Sequence, residues 1–150
     1  MLHILNTNSL DVLFKINGTP GHGSLLLKNT AGEKLRHLLD RFLEYRLTQV
    51  QKLENNPNLT IGDVTTVNIT QLSGGVQSNV VPPQFSMMTD IRLAVHENHV
   101  EFENMFKRWC DEAGENIEFE YELKDPFIAP TKIDNSNIYW TAFQEATQQL

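Results

Sequence analysis

Apolar and polar side chains alternate near the start of the chain. Leu10, Val12, Phe14 and Ile16 interleave with Asp11, Leu13, Lys15 and Asn17, the period-two pattern of a half-buried strand. A Gly/Pro cluster at 18–23 ends it. Thr30-Ala31-Gly32-Glu33 then has the form of a capping box, in which threonine and glutamate satisfy free N–H groups at a helix start. Leu35, Leu38, Leu39, Phe42, Tyr45 and Gln49 follow at helical spacing, and the helix is expected to run to about Glu54. Val64 to Leu72 is rich in β-branched residues and reads as a second strand, broken by Ser73-Gly74-Gly75. From Phe85 to Val95 the pattern alternates again, with Phe85, Met87, Thr89, Ile91, Leu93 and Val95 on one face and Asp90, Arg92 and Ala94 on the other. Asn98 to Glu101 offers a second capping box, and Phe102, Met105, Phe106, Trp109 and Ala113 mark one side of a helix that Gly114 should end. Ile117, Phe119, Tyr121 and Leu123 alternate with Glu118, Glu120 and Glu122 as a fourth strand.

The order strand, helix, strand, strand, helix, strand predicts an α+β, ferredoxin-like two-layer sandwich. A four-stranded antiparallel sheet would carry two helices on one face. The other face would stay open and carry Asp90 and Arg92. The expected layout is a tail over 1–9, one domain over 10–124, and a linker with a separate segment over 125–150. Asp125-Pro126 and Ala129-Pro130 punctuate that linker, and Ile138, Tyr139, Trp140 and Phe143 form a short apolar helix beyond it. A finished sandwich has little room for that helix.

Composition narrows the function classes. A net charge of -7 argues against nucleic acid, whose binders need basic surface to displace phosphate counterions, and against an anionic membrane. The single Cys110 allows no internal disulfide and reads as a helix residue in a reducing compartment. Met1 to Asn6 carries neither a basic region nor a long apolar run, so a cytoplasmic protein is expected.

Two glycine-flanked polar motifs carry the candidate chemistry: Gly18-Thr19-Pro20-Gly21-His22-Gly23-Ser24 and Gly74-Gly75-Val76-Gln77-Ser78-Asn79-Val80-Val81-Pro82. With Arg92 they offer an imidazole, a side-chain amide and a guanidinium, groups that suit an anionic ligand bearing a carbonyl. His22 among small neighbours lets a ligand come close. Each has a plainer reading: His22 as a loop residue, Asn79 as a turn residue, Arg92 as the partner of Asp90. His96 and His99 lack a third ligand nearby, and no metal site is expected. Ser24 follows His22 without a nucleophile elbow and reads as a turn cap.

Taken in order, these motifs resemble the dimerisation (lid) domain of aminoacylase-1-like members of the zinc-dependent aminoacylase and carboxypeptidase metallopeptidase family. The resemblance rests on residues 18–24, 62–70, 72–82 and 90–94, on Trp109-Cys110, and on Trp140 to Phe143, and it covers about residues 10 to 145. It implies a homodimer formed through this domain and an N-acyl-amino-acid substrate in the complete enzyme. It further implies that His22 reaches into the partner subunit's active site to stabilise an oxyanion. Arg92 would hold the substrate carboxylate, while Asn79, Gly74 and Gly75 shape the same pocket. The family's zinc is held by a separate catalytic domain through a His-x-Asp motif and a Glu-Glu pair, and neither occurs in these 150 residues. Zinc is thus expected in the complete family enzyme and no cofactor in this chain, which alone is expected to hydrolyse nothing. The alternative is a stand-alone ferredoxin-like binding or regulatory module without catalysis.

Overall fold

A computed structural model describes residues 8–126, 132 and 134–148. The elements run β1 (Ser9–Asn17), β2 (Gly21–His22), α1 (Ala31–Glu54), a single 3-10 turn (Ile61–Asp63), β3 (Thr66–Gly74), β4 (Val80–Val81), β5 (Gln84–Arg92), α2 (His99–Ala113), β6 (Ile117–Lys124) and α3 (Ile138–Gln148). The four long strands make one antiparallel sheet in the order β3-β5-β1-β6. This is the α+β arrangement read from the sequence, with the expected order of long strands and helices. The short β2 and β4 form a separate two-stranded ladder that the periodicity does not signal.

The alternation in β1 dictates the core. Leu10, Val12, Phe14 and Ile16 are all buried in the centre of the sheet. Phe14 meets Phe42 of α1, Phe106 of α2 and Phe119 of β6, with ring centroids 5.3, 6.0 and 5.8 Å apart. Both helices therefore cover the same sheet face. On α1 the buried stripe is Ala31, Lys34, Leu38 and Phe42. Its start is the expected capping box: Thr30 Oγ1 accepts from the Glu33 N–H at 3.2 Å, and Glu33 Oε2 accepts from the Thr30 N–H at 2.8 Å. On α2, Phe102, Phe106 and Cys110 recur every four residues and are buried. Asn98 caps α2 by accepting from the Val100 and Glu101 N–H groups, and Gly114, at φ 123°, ends it.

Two boundaries differ from the sequence reading. The third long strand stops at Arg92 rather than Val95, because β1 begins opposite it at Ser9. Beyond Arg92 the backbone donors turn elsewhere: Leu93 N–H to the Asn8 carbonyl, and Ala94 N–H to Thr65 Oγ1 at 3.0 Å. Ala94, placed by alternation on the open face, is buried for that reason. In β3 the ladder carries through Ser73 to Gly74, which pairs with Phe85.

The tail helix α3 exists, yet none of its residues is buried. Trp140 and Phe143 stack on each other at 5.8 Å. Ala129-Pro130, His3 and residues 1–7 lie outside the described residues.

Candidate functional site

The β2–β4 ladder joins the two glycine motifs. Gly21 pairs with Val81 and His22 with Val80. The Gly23 N–H donates to the Asn79 carbonyl at 2.7 Å, and a Cβ on Gly23 would stand 3.1 Å from that same oxygen. The glycine beside the histidine is thus what allows the loops to touch. Both His22 and Asn79 are exposed.

Ser24 fixes the imidazole. Its hydroxyl lies 2.8 Å from His22 Nδ1, and its backbone N–H donates to Nδ1 at 3.3 Å. An Nδ1 that accepts from a backbone N–H places the proton of the neutral ring on Nε2. The sequence reading made Ser24 a turn cap and took its position beside His22 as adjacency only; in the fold it also bonds the ring. Leu25 N–H closes a turn onto the His22 carbonyl, which leaves Leu25 and Leu26 with exposures of 55% and 102%. Val76, on the other loop, is 95% exposed. These apolar tips carry no sequence signal beyond their loop position.

The anchor of the second loop lies at the end of β3. Gly74 has φ 143°, and a Cβ there would fall 2.4 Å from Phe85 Cδ1; Gly75 follows at φ 79° with open space around it. Gly74, Gly75, Asn79 and His22 therefore share the end of the molecule where β5 begins.

Arg92 does not join them. It ends β5, whereas the loops adjoin its start at Gln84, eight residues away. At ~3.3 Å per residue, the strand separates the two ends by roughly 26 Å. Arg92 lies in acidic surroundings. Its Nε and Nη2 donate to the two oxygens of Asp90, each at 2.9 Å, and Nη1 donates to Ser9 Oγ. The bond to Asp90 raises its pKa further, with Asp11 and Asp125 adding to the effect. A guanidinium has about five N–H donors. These bonds use three, so donors remain for an incoming carboxylate.

No group of three or more metal-binding side chains exists among the described residues. The described residues by themselves therefore offer no donor set for the zinc implied in the complete family enzyme. What the described residues offer is hydrogen-bond donors and a cation. Cys110 is buried, which pushes its thiol up to about 12 and keeps it protonated.

Comparison with known proteins decides the family. The family model described as the peptidase dimerisation domain matches residues 4–118. The chain belongs to this family. It is 42% identical to mouse aminoacylase-1 over 135 residues, covering 89% of this chain and 33% of that protein. Human aminoacylase-1 is 38% identical over the same span and coverage. The chain thus spans about a third of the length of these curated relatives. Among solved structures, a putative aminohydrolase from methicillin-resistant Staphylococcus aureus superposes with a TM-score of 0.65 at 18% identity, covering 95% of this chain and 35% of that one. A Staphylococcus aureus tripeptidase does so with a TM-score of 0.59 at 18% identity, again covering 95% and 35%. Those two likenesses speak to the fold. The domain is an aminoacylase-1-like member of its family. No helix among the described residues is long and apolar enough to cross a membrane.

Proposed function

We propose that this chain is the homodimerisation and lid domain of an N-acyl-L-amino-acid amidohydrolase, lending His22 to a partner subunit's active site and gripping the substrate carboxylate with Arg92. The observation that carries the reading is the separation of the two groups along β5. A substrate of amino-acid size cannot touch both ends of one strand. A site that uses both must draw them from two subunits.

His22 would donate from Nε2 to the oxygen that gains charge as the acyl carbon becomes tetrahedral, and the Asn79 amide beside it would add a second donor. Donors fixed before the reaction stabilise such charge without reorganising. Ser24 would keep the ring in its donating tautomer. Arg92 would bind the α-carboxylate through the donors that Asp90 and Ser9 leave free, with Asp90 holding the guanidinium plane. The same reading places the protein in the cytoplasm, and the buried free thiol of Cys110 is compatible with a reducing compartment.

Mixed dimers test this. The domain is exchanged for its counterpart in mouse aminoacylase-1, and differently tagged His22→Ala and Arg92→Ala subunits are co-purified. Each homodimer should lose activity, by about 10²–10³ in kcat where an oxyanion donor is removed. In the mixed dimer both lesions fall in one site and the other site is intact, so about half of the parent activity should return. A mixed dimer as inactive as its parents defeats the reading.

A further inference from the structure

Arg92, Ser9 and Asp125 form one row across the sheet. Ser9 of β1 pairs directly with Arg92 of β5. On the other side of β1, an unbroken register with β6 would set Ser9 opposite Lys124. Val12 pairs with Tyr121, but Asp11 pairs with Leu123, so Glu122 is an inserted residue. That bulge moves the end of β6 along by one position and brings Asp125 beside Ser9. Two hydrogen bonds close the row. The Asp125 N–H donates to the Ser9 carbonyl at 3.0 Å, and Asp125 Oδ2 accepts from the Ser9 N–H at 3.1 Å.

The row matters for the guanidinium. Asp90 and Arg92 are alternate residues of one strand, and both side chains are partly exposed. Their two bonds fix the guanidinium relative to Asp90, yet the pair can still swing as a unit over the open face. Ser9 is the fixed point. It is buried, its side chain is short, and its Oγ accepts from Arg92 Nη1. With Nε and Nη2 given to Asp90 and Nη1 to Ser9, a single N–H remains on each of Nη1 and Nη2. These two sit on neighbouring nitrogens, the fork that spans a carboxylate. A strand end left to fray would carry the fixed point away. Asp125 holds that end through both its backbone N–H and its carboxylate.

We infer that Ser9 and Asp125 are positioning residues for Arg92: Ser9 aims the guanidinium, and Asp125 holds Ser9 in place. This rests on the carboxylate grip given to Arg92 above and adds the two residues that set its geometry. Asp125 also carries a negative charge, which repels an incoming carboxylate. Substitution separates its two effects. Asn keeps an oxygen that can accept from the Ser9 N–H and drops the charge, whereas Ala drops both.

The test uses the enzyme in which this domain replaces its mouse aminoacylase-1 counterpart, with an N-acetyl-L-amino acid as substrate. Ser9→Ala should raise KM about tenfold, the effect of losing one bond to a charged group. Its kcat should stay within about twofold, because a grip made equally in ground and transition states acts on KM alone. Asp125→Ala should raise KM by a smaller factor, and Asp125→Asn should leave it unchanged or lower. Coupling separates positioning from a general structural role. Added to Arg92→Ala, Ser9→Ala should change kcat/KM no further, since Ser9 acts only through the guanidinium. No rise in KM for Ser9→Ala and Asp125→Ala, or a Ser9→Ala effect that persists beside Arg92→Ala, overturns the positioning and leaves the Arg92 reading standing. Arg92→Ala with an unchanged KM defeats the Arg92 reading and this inference with it. If Ser9→Ala does not fold, the contrast between Asp125→Ala and Asp125→Asn decides, and an equal KM in both overturns the inference.

Discussion

At the scale of single residues, the side chain that sequence reasoning misses is Lys34. It sits on the buried stripe of α1 with 7% exposure, where an apolar residue is the ordinary expectation. Its ammonium donates to the Asn17 carbonyl at 2.7 Å and to the Glu115 carbonyl at 2.6 Å. One lysine thus ties the end of β1 to the loop between α2 and β6. Lys34→Met keeps the stem and strands both carbonyls. It should lower unfolding stability by about 1–3 kcal/mol, since a buried polar group without a partner costs that much. Urea unfolding checks it, and an unchanged midpoint would mean that the two carbonyls find water instead. The identity of Lys34 is visible in the sequence; its role depends on two carbonyls supplied by distant segments. His22 is a gentler case, because its glycines mark it in advance and only the orientation by Ser24 needed the fold.

At the scale of elements, local signals carried furthest where the partner is a few residues away. The Thr30–Glu33 box was legible because both halves lie within one turn, and α1 runs from Ala31 to Glu54. The backbone N–H and hydroxyl of Thr30 hold the Glu33 carboxyl below its usual 4.5. The sign follows from the direction. A carboxyl with a lowered folded pKa stabilises the fold above its unfolded value, and that contribution is lost as pH falls through the folded value. Glu33→Ala should therefore lower the melting temperature near neutral pH, and the gap to the unaltered chain should close as pH drops well below about 4.5. A gap that persists unchanged in acid would contradict the charged cap. The β2–β4 ladder was not legible. Each strand has two residues, too few for any alternation to register, and the pairing spans the whole of α1 and β3.

For the whole molecule, one core holds the described residues from β1 to β6, and α3 contributes no buried side chain to it. Ile138, Tyr139 and Phe143 are 72%, 81% and 54% exposed. Ending the chain before α3 should leave unfolding stability within about 0.5 kcal/mol, since none of the residues Ile138–Gln148 is buried. The shortened chain should also aggregate less, since an exposed apolar patch goes with it. Thermal unfolding and light scattering read the two effects. A large loss of stability would mean that α3 packs on the sheet in solution.

The sequence by itself determined the alternation of β1, the stripes of α1 and α2, the caps and the order of long strands. Each of these follows from periodicities and hydrogen bonds spanning a few residues. It also marked His22, Asn79, Gly74 and Gly75 as a set, through glycines where backbones approach closely or turn with positive φ. Tertiary structure alone decided that the first four share one end of β5 and Arg92 the other, because strand register converts sequence distance into position. It also decided that a single inserted residue in β6 sets Asp125 beside Ser9. A bulge depends on what the neighbouring strand pairs with, and no local pattern in β6 records that.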